Sequence, residues 1–251
     1  QRTNTHEGKQ KDAMPLADGT NAEKEDPSPP LGWSSKADLK DVKLYGMKAS
    51  PPCAKLIAIL KYYEVPFEVV SSSPGTPVTK GGSYKKIPVL TASGRQVNDS
   101  YVIVKSLLEP LSKDFDAELE QTITFGFQPA IEAEAFGVPE DFRKYAVNAG
   151  FSVAAYVPGF ILGMLSPAST IKKKHPDMKP CVDYGKDFLA KMDGKPFWGG
   201  DEPGAHDITM FGTLHFFVKS KCDTAATFLT DSGLADWYKN VQQKMPENWD
   251  E

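Results

Sequence analysis

Cysteine and histidine are scarce in this chain of 251 residues, and that scarcity excludes several kinds of protein. Cys53, Cys181 and Cys222 are too few and too scattered for a disulfide framework or a zinc site. A thiol-permissive compartment such as cytosol, matrix or stroma suits three such cysteines best. A large excess of charge is also missing. The net charge of −4 argues against a general nucleic-acid binder. No signal peptide is visible, and the chain begins with Gln1 rather than Met, which reads as truncation or processing.

Two stretches each lack a whole class of side chain. Residues 1–40 have almost no large apolar residues before Leu31 and Trp33, and carry the run Pro27-Ser28-Pro29-Pro30. Such a segment cannot bury enough apolar surface to order itself, so it is expected to be an extended tail. It would lie on a partner or across its own domain, anchored by Leu31 and Trp33. The second stretch, Tyr145 to Ile171, contains no Asp, Glu, Lys or Arg. On length alone it could span a bilayer, but Asn148, Gly150, Ser152, Pro158, Gly159 and Gly163 interrupt it. It reads as a buried or interface helix with an exposed part, and contact with a membrane or partner is the other reading. The lysines that follow, Lys172 to Lys174, suit anionic lipid heads.

The rest is ordinary for a folded protein. A hydrophobic share of 40% is enough for a core, and the length suits one two-part unit or two small domains. Residues 41–112 read as alternating strands and helices. Val42 to Met47 is strand-like, and Ala54 to Leu60 is a helix. Pro66 to Val70 is a second strand, and Lys86-Ile87-Pro88-Val89-Leu90 opens a third. Gln96 to Asn98 follows a turn, and Asp99-Ser100 cap a helix from Tyr101. Residues 113–251 are helical in pattern. Asp207 to Phe217 is apolar nearly all round and reads as a buried central helix. The sequence before it, Gly204-Ala205-His206-Asp207, keeps only the Asp of a capping box, so this helix start reads as weak.

This order resembles the glutathione transferase superfamily, and most closely the membrane-associated prostaglandin E synthase 2 family. The resemblance rests on Pro51 and Cys53, Ser83-Tyr84-Lys85-Lys86-Ile87-Pro88-Val89-Leu90, Gln96-Val97-Asn98-Asp99-Ser100, Pro196 to Gly200 and Asp207 to Leu214. It implies an α/β thioredoxin-like N-terminal domain, with a cis Ile87-Pro88 bond, followed by an all-α C-terminal domain. It also implies a glutathione subsite: Ile87 and Pro88 for the cysteinyl backbone, Asp99 and Ser100 for the γ-glutamyl group. The family's reactive turn reads Tyr-x-x-Cys-Pro-Phe-Cys. Here Met47, Ser50 and Pro52 replace three of those residues, leaving Ser50-Pro51-Pro52-Cys53. A thiol at a helix N-terminus can be lowered toward a neutral pKa, whereas a serine hydroxyl needs an adjacent base to act as nucleophile. Family members also bind haem, and none of the histidines here supports that.

Three readings follow. The first is a non-catalytic accessory or structural subunit of a larger organellar membrane complex, attached through the tail and residues 145–171. The second is a glutathione-dependent isomerase or transferase in which Ser50 orients the glutathione thiolate. The third is a single-thiol oxidoreductase acting through Cys53, which otherwise has a structural role.

Overall fold

The structure, a computed structural model, describes residues 33–72 and 84–250. Leu31, Ser83 and the tail through residue 32 lie outside the described residues.

Four strands make one sheet: β1 (Val42–Gly46), β2 (Phe67–Ser71), β3 (Val89–Ala92) and β4 (Arg95–Asn98), in the order β2-β1-β3-β4. β1 pairs parallel with β2, Leu44 opposite Val69. A parallel pair needs a crossover, and helix α1 (Pro51–Tyr62) supplies it. β1–β3 and β3–β4 are antiparallel, with the Ser93-Gly94 turn closing the hairpin. Both turn residues have positive φ, and Gly94, at 74°, adopts it without a Cβ penalty. Helix α2 (Ser100–Leu111) ends this unit. Leu44, Leu56, Leu60, Leu90, Ile103 and Leu107 are fully buried between sheet and helices. Trp33 joins the same core. The Ile87–Pro88 bond is cis. These elements match the thioredoxin-like expectation, except that α1 starts three residues earlier than its apolar run. Pro51 and Pro52 sit at its first positions, where a helix needs no amide hydrogen.

The second part is helical. α3 (Ala117–Gln121) continues through a π-helical stretch, Thr122–Phe127, into α4 (Gln128–Gly137). Pro129 explains the wide turn. In a regular α-helix its ring would meet the carbonyl of residue 125 and withhold a hydrogen bond from it. The chain widens instead, and Gln128 N–H donates to Ile123. α5 (Pro139–Asn148), a 3₁₀ turn (Ser152–Tyr156), α6 (Gly159–Leu165) and α7 (Ala168–Lys174) follow. Then come α8 (Cys181–Met192), α9 (Ala205–Lys219), α10 (Asp223–Asp231) and α11 (Ala235–Lys244).

The uncharged run is therefore not the single helix expected from its composition. Gly150, at φ 96°, ends the first piece, and Pro158 and Pro167 each start a new one. Among the described residues no helix is long and apolar enough to cross a membrane.

α9 is the central helix, buried along nearly its whole length, and its start is stronger than the sequence suggests. Asp207 accepts from the amides of Trp198, Gly199 and Gly204 and from the Trp237 indole. The N-cap carboxylate comes from elsewhere: Asp114, in the segment joining the two parts, accepts from Ala205 N–H at 3.2 Å. A Cβ on Gly204 would lie 1.7 Å from Asp114 Oδ2. The glycine is the residue that lets Asp114 cap the helix.

α9 crosses α1 at Gly212. A Cβ there would sit 2.7 Å from Ala58 Cβ and 2.9 Å from Lys55 Cα, so only glycine permits this approach. Beside the crossing, fully buried Lys55 donates to Glu120 Oε1 (3.2 Å) and Thr124 Oγ1 (2.6 Å). Burial alone would raise the Glu120 carboxyl, but the Lys55 ammonium, the nearby His206 ring and the hydrogen bond from Thr124 bring it below its ordinary value. Removing one partner strands a buried charge. Lys55→Met should therefore cost about 3–5 kcal/mol in urea unfolding, and Lys55→Met combined with Glu120→Leu should recover most of it. Equal midpoints for the single and double variants would show that the pair does not act as a unit.

Candidate functional site

The site expected from sequence lies where β1 enters α1. Ser50 is the N-cap of α1 in extended conformation, and its hydroxyl makes no cap bond. It faces the Cys53 thiol instead, which also takes a hydrogen bond from the Met47 backbone. Cys53 is 1% exposed. Its sulfur fills the space that Gly46 leaves, since a Cβ on Gly46 would come within 2.4 Å of Cys53 Sγ. Burial pushes the Cys53 thiol up to about 11, despite the two hydrogen bonds that favour the thiolate. At neutral pH it is a protonated, packed side chain, so the geometry gives it a structural role.

Ile87 comes against the same point, its Cβ 3.9 Å from the position a Gly46 Cβ would take. It is half-buried, and Pro88 is buried. Asp99 is the N-cap of α2, its Oδ1 accepting from Tyr101 N–H at 2.9 Å. Its backbone, at φ 73° and ψ 130°, lies in a region that residues with a Cβ rarely occupy. Asp99 and Ser100 are both half-buried. An acidic side chain and a hydroxyl at the start of a twelve-residue helix can hold the ammonium and carboxylate of an α-amino acid head. These residues fit the γ-glutamyl end of glutathione.

The helical part completes the neighbourhood with residues that the sequence gave no reason to single out. Tyr145, on α5, donates its hydroxyl to the Ala49 carbonyl, immediately before Ser50. Burial raises its pKa well above the ordinary value, and the nearby Glu132 and Cys53 add to the rise. Glu132, on α4, accepts from Gln128 Nε2 at 3.1 Å. Its burial lifts the carboxyl to about 7, against the hydrogen bond from Gln128 and the attraction of Lys55. Tyr101 packs its ring at a tilt against Phe125 of the π-helical stretch and accepts from Gln121 Nε2 at 3.1 Å. The α2 start is thereby tied to the helical part. Only contacts between elements far apart in sequence could have revealed Tyr145 and Glu132.

Other candidates lie outside this group. His206 is buried, its Nε2 accepting from Asp116 N–H at 2.7 Å, so its Nδ1 carries the proton and faces Glu120 Oε2 at 3.8 Å. His215 contacts the Tyr238 hydroxyl and Asp250, and His175 caps the C-terminus of α7. His6 lies outside the described residues. No group of three or more His, Cys, Asp or Glu among the described residues could hold a metal ion. A cleft of about 730 Å³ opens between α1, β2 and the C-terminal end, lined by Ile57, Leu60, Phe67, His215 and Trp249. It includes neither Ser50 nor Asp99, so its volume says nothing about the glutathione subsite.

Comparison with known proteins fits this geometry. Residues 44–112 match the glutathione S-transferase N-terminal domain family. Prostaglandin E synthase 2 of Danio rerio is 40% identical over 72 residues, which are 28% of this chain and 19% of that protein. Prostaglandin E synthase 2 of Mus musculus is 37% identical over 109 residues, 41% of this chain and 28% of that protein. The chain thus spans less than a third of the length of these relatives. Among solved structures, a diazinon-metabolizing glutathione S-transferase of the silkworm Bombyx mori superposes with a TM-score of 0.55 at 16% identity, covering 83% of this chain and 94% of that one. The chain has the glutathione-transferase fold, residues 44–112 match the glutathione S-transferase N-terminal domain, and prostaglandin E synthase 2 is among its sequence relatives.

Proposed function

We propose that this protein is a glutathione-transferase-fold scaffold, an accessory subunit of a membrane-associated assembly, which keeps a glutathione subsite and lacks the nucleophile that would use it. The observation that carries this reading is the turn itself. Ser50 stands at the attacking position with no imidazole recorded against it, and Cys53 is buried with its thiol near 11. A hydroxyl without a base and a thiol without a charge leave no activated nucleophile in this turn. The retained subsite is Ile87, Pro88, Asp99 and Ser100, and bound glutathione would serve there as a stabilising ligand.

One observation favours a second reading, a glutathione-dependent isomerase or transferase. Glutathione brings its own thiol, so the protein need only position it and accept its proton. Ser50 would donate to the thiolate, and Glu132 is a carboxyl near 7 that acts electrostatically on Tyr145, whose hydroxyl meets the Ala49 carbonyl. A base poised near the working pH is the kind that general-base catalysis requires.

Two measurements separate these readings. Under the scaffold reading, the native protein shows no glutathione conjugation or prostaglandin isomerisation above background. Ser50→Cys gains reactivity toward an alkylating reagent near neutral pH, because an exposed thiol at a helix N-terminus is ionisable. Turnover by the native protein that Ser50→Ala or Glu132→Gln abolishes would instead establish the enzyme.

The second prediction concerns stability. Glu132 has a folded pKa of about 7, above its ordinary 4.5. The folded state therefore favours the neutral acid. Its contribution is full below pH ~4.5 and is lost as pH rises through ~7. Glu132 keeps a partly exposed edge, so the effect should be about 1–2 kcal/mol, less than the full shift implies. Glu132→Gln should be more stable than the native protein at pH 8 by that amount, with the advantage shrinking toward zero near pH 4.5. A pH-independent difference in denaturant midpoint would show that Glu132 is ionised in the fold at neutral pH.

A further inference from the structure

The segment from Phe151 to Leu165 exposes large apolar side chains that none of the described residues covers. Tyr156 is 88% exposed, Met164 81%, Phe160 73% and Val153 68%, with Leu165 and Phe151 above half. Folded proteins seldom present so much apolar surface from fifteen residues unless it meets something.

The segment is built, not frayed. It has a small core of its own, Ala146, Ala154 and Leu162 with Phe142 and Val157, separate from the main core. Arg143 holds the 3₁₀ turn from beneath, its Nη1 donating to the carbonyls of Ala154 (2.9 Å), Ala155 (3.1 Å) and Val157 (2.8 Å). On α6 only Leu162 is buried. At about 100° per residue, Phe160 and Met164 both project within about 20° of the direction opposite Leu162. Gly163 lies beside them and adds no side chain. The helix thus shows its most apolar stripe to the outside.

Charge selects the occupant. From Phe142 to Pro176 there is no Asp or Glu. Lys172, Lys173 and Lys174, at the end of α7, are all exposed, and none is in an ion pair among the described residues. Consecutive helical positions point about 100° apart, so the three cations spread over about 200° of the helix end, in a helix that begins at Ala168, just after α6 ends at Leu165. A protein partner's apolar face would need no such cations, whereas a lipid surface with anionic heads uses both features. No described helix can cross a membrane, which leaves lying on it. The polar stretch Gln1–Pro30 offers little apolar surface as an internal cover.

We infer that residues 151–174 form an interfacial docking face for an anionic membrane surface. Phe160, Met164 and their apolar neighbours enter the headgroup boundary, and Lys172–Lys174 contact lipid phosphates and carboxylates. This deepens the scaffold reading and rests on it for where the protein works, but it does not involve the residues around Ser50.

The test is co-sedimentation of the full chain with vesicles of phosphatidylcholine alone, or with about 30% phosphatidylserine, a composition resembling a strongly anionic leaflet. Binding should require phosphatidylserine and weaken as salt rises. Phe160→Ser with Met164→Ser, and separately Lys172→Gln with Lys173→Gln and Lys174→Gln, should each lower the apparent affinity by about tenfold or more. Because these residues are exposed, both variants should unfold at the native midpoint. No binding to anionic vesicles, or binding that both variants leave unchanged, overturns the proposal. So does a self-associating native protein that ignores vesicles and that Phe160→Ser with Met164→Ser makes monomeric, since the face would then join two copies. Glutathione turnover, assayed on the same samples, bears on the scaffold reading alone. Turnover with vesicle binding intact refutes that reading and leaves the docking face standing.

Discussion

The crossing of α1 and α9 at Gly212 is the contact on which the rest of the molecule depends. With the glycine, the two backbones approach until Lys55 Cα and Ala58 Cβ would touch any added methyl. At that separation Lys55 is sealed from water, and it must find Glu120 and Thr124 or leave a bare charge inside the fold. The pair adds little net stability over an apolar substitute, because desolvation offsets most of the attraction. What it adds is a fixed register, since a buried charge tolerates only the arrangement that meets its partner. Tyr62 to the Pro203 carbonyl and Tyr145 to the Ala49 carbonyl extend that register along the junction. The second of these bonds places an α5 side chain against the turn before Ser50. The geometry around Ser50 is thus a product of the two-part packing as well as of the thioredoxin-like unit.

The turn is also explained by packing. Gly46 has no Cβ, and the Cys53 sulfur occupies that space. A thiol held there is desolvated, and no helix N-terminus can offset the cost of charging it fully. Cys53 is therefore protonated and packed at neutral pH, while Ser50, one helical turn earlier, stays half-buried. Asp99 is held in a backbone conformation that costs free energy, and its carboxylate caps α2 by accepting from Tyr101 N–H.

Local signals carried the thioredoxin-like half. Period-two and helical runs located all four strands and the α2 cap to within a few residues, and the central helix was legible from its all-round apolarity. What escaped depended on partners distant in sequence. The α9 cap read as weak because its carboxylate, Asp114, comes from 91 residues away. The π-helical stretch needed the clash at Pro129 to be weighed against continuity of the helix. Glu132 and Tyr145 looked like ordinary helix residues until tertiary packing set them beside the turn.

Residues 145–171 show a different kind of failure. Absence of charge reads as a single helix, yet Gly150, Pro158 and Pro167 divide the run into pieces too short for a sustained buried stripe. A helix of seven residues such as α6 can turn only about two side chains inward, and here it turns one, Leu162. Shortness therefore forces the remaining apolar residues outward, whatever the core could accept. Composition set what this surface is made of, and the breakers set which way it faces. No carboxylate precedes Lys172–Lys174 back to Phe142, and the three are in no ion pair among the described residues, so the segment carries apolar contact and positive charge together.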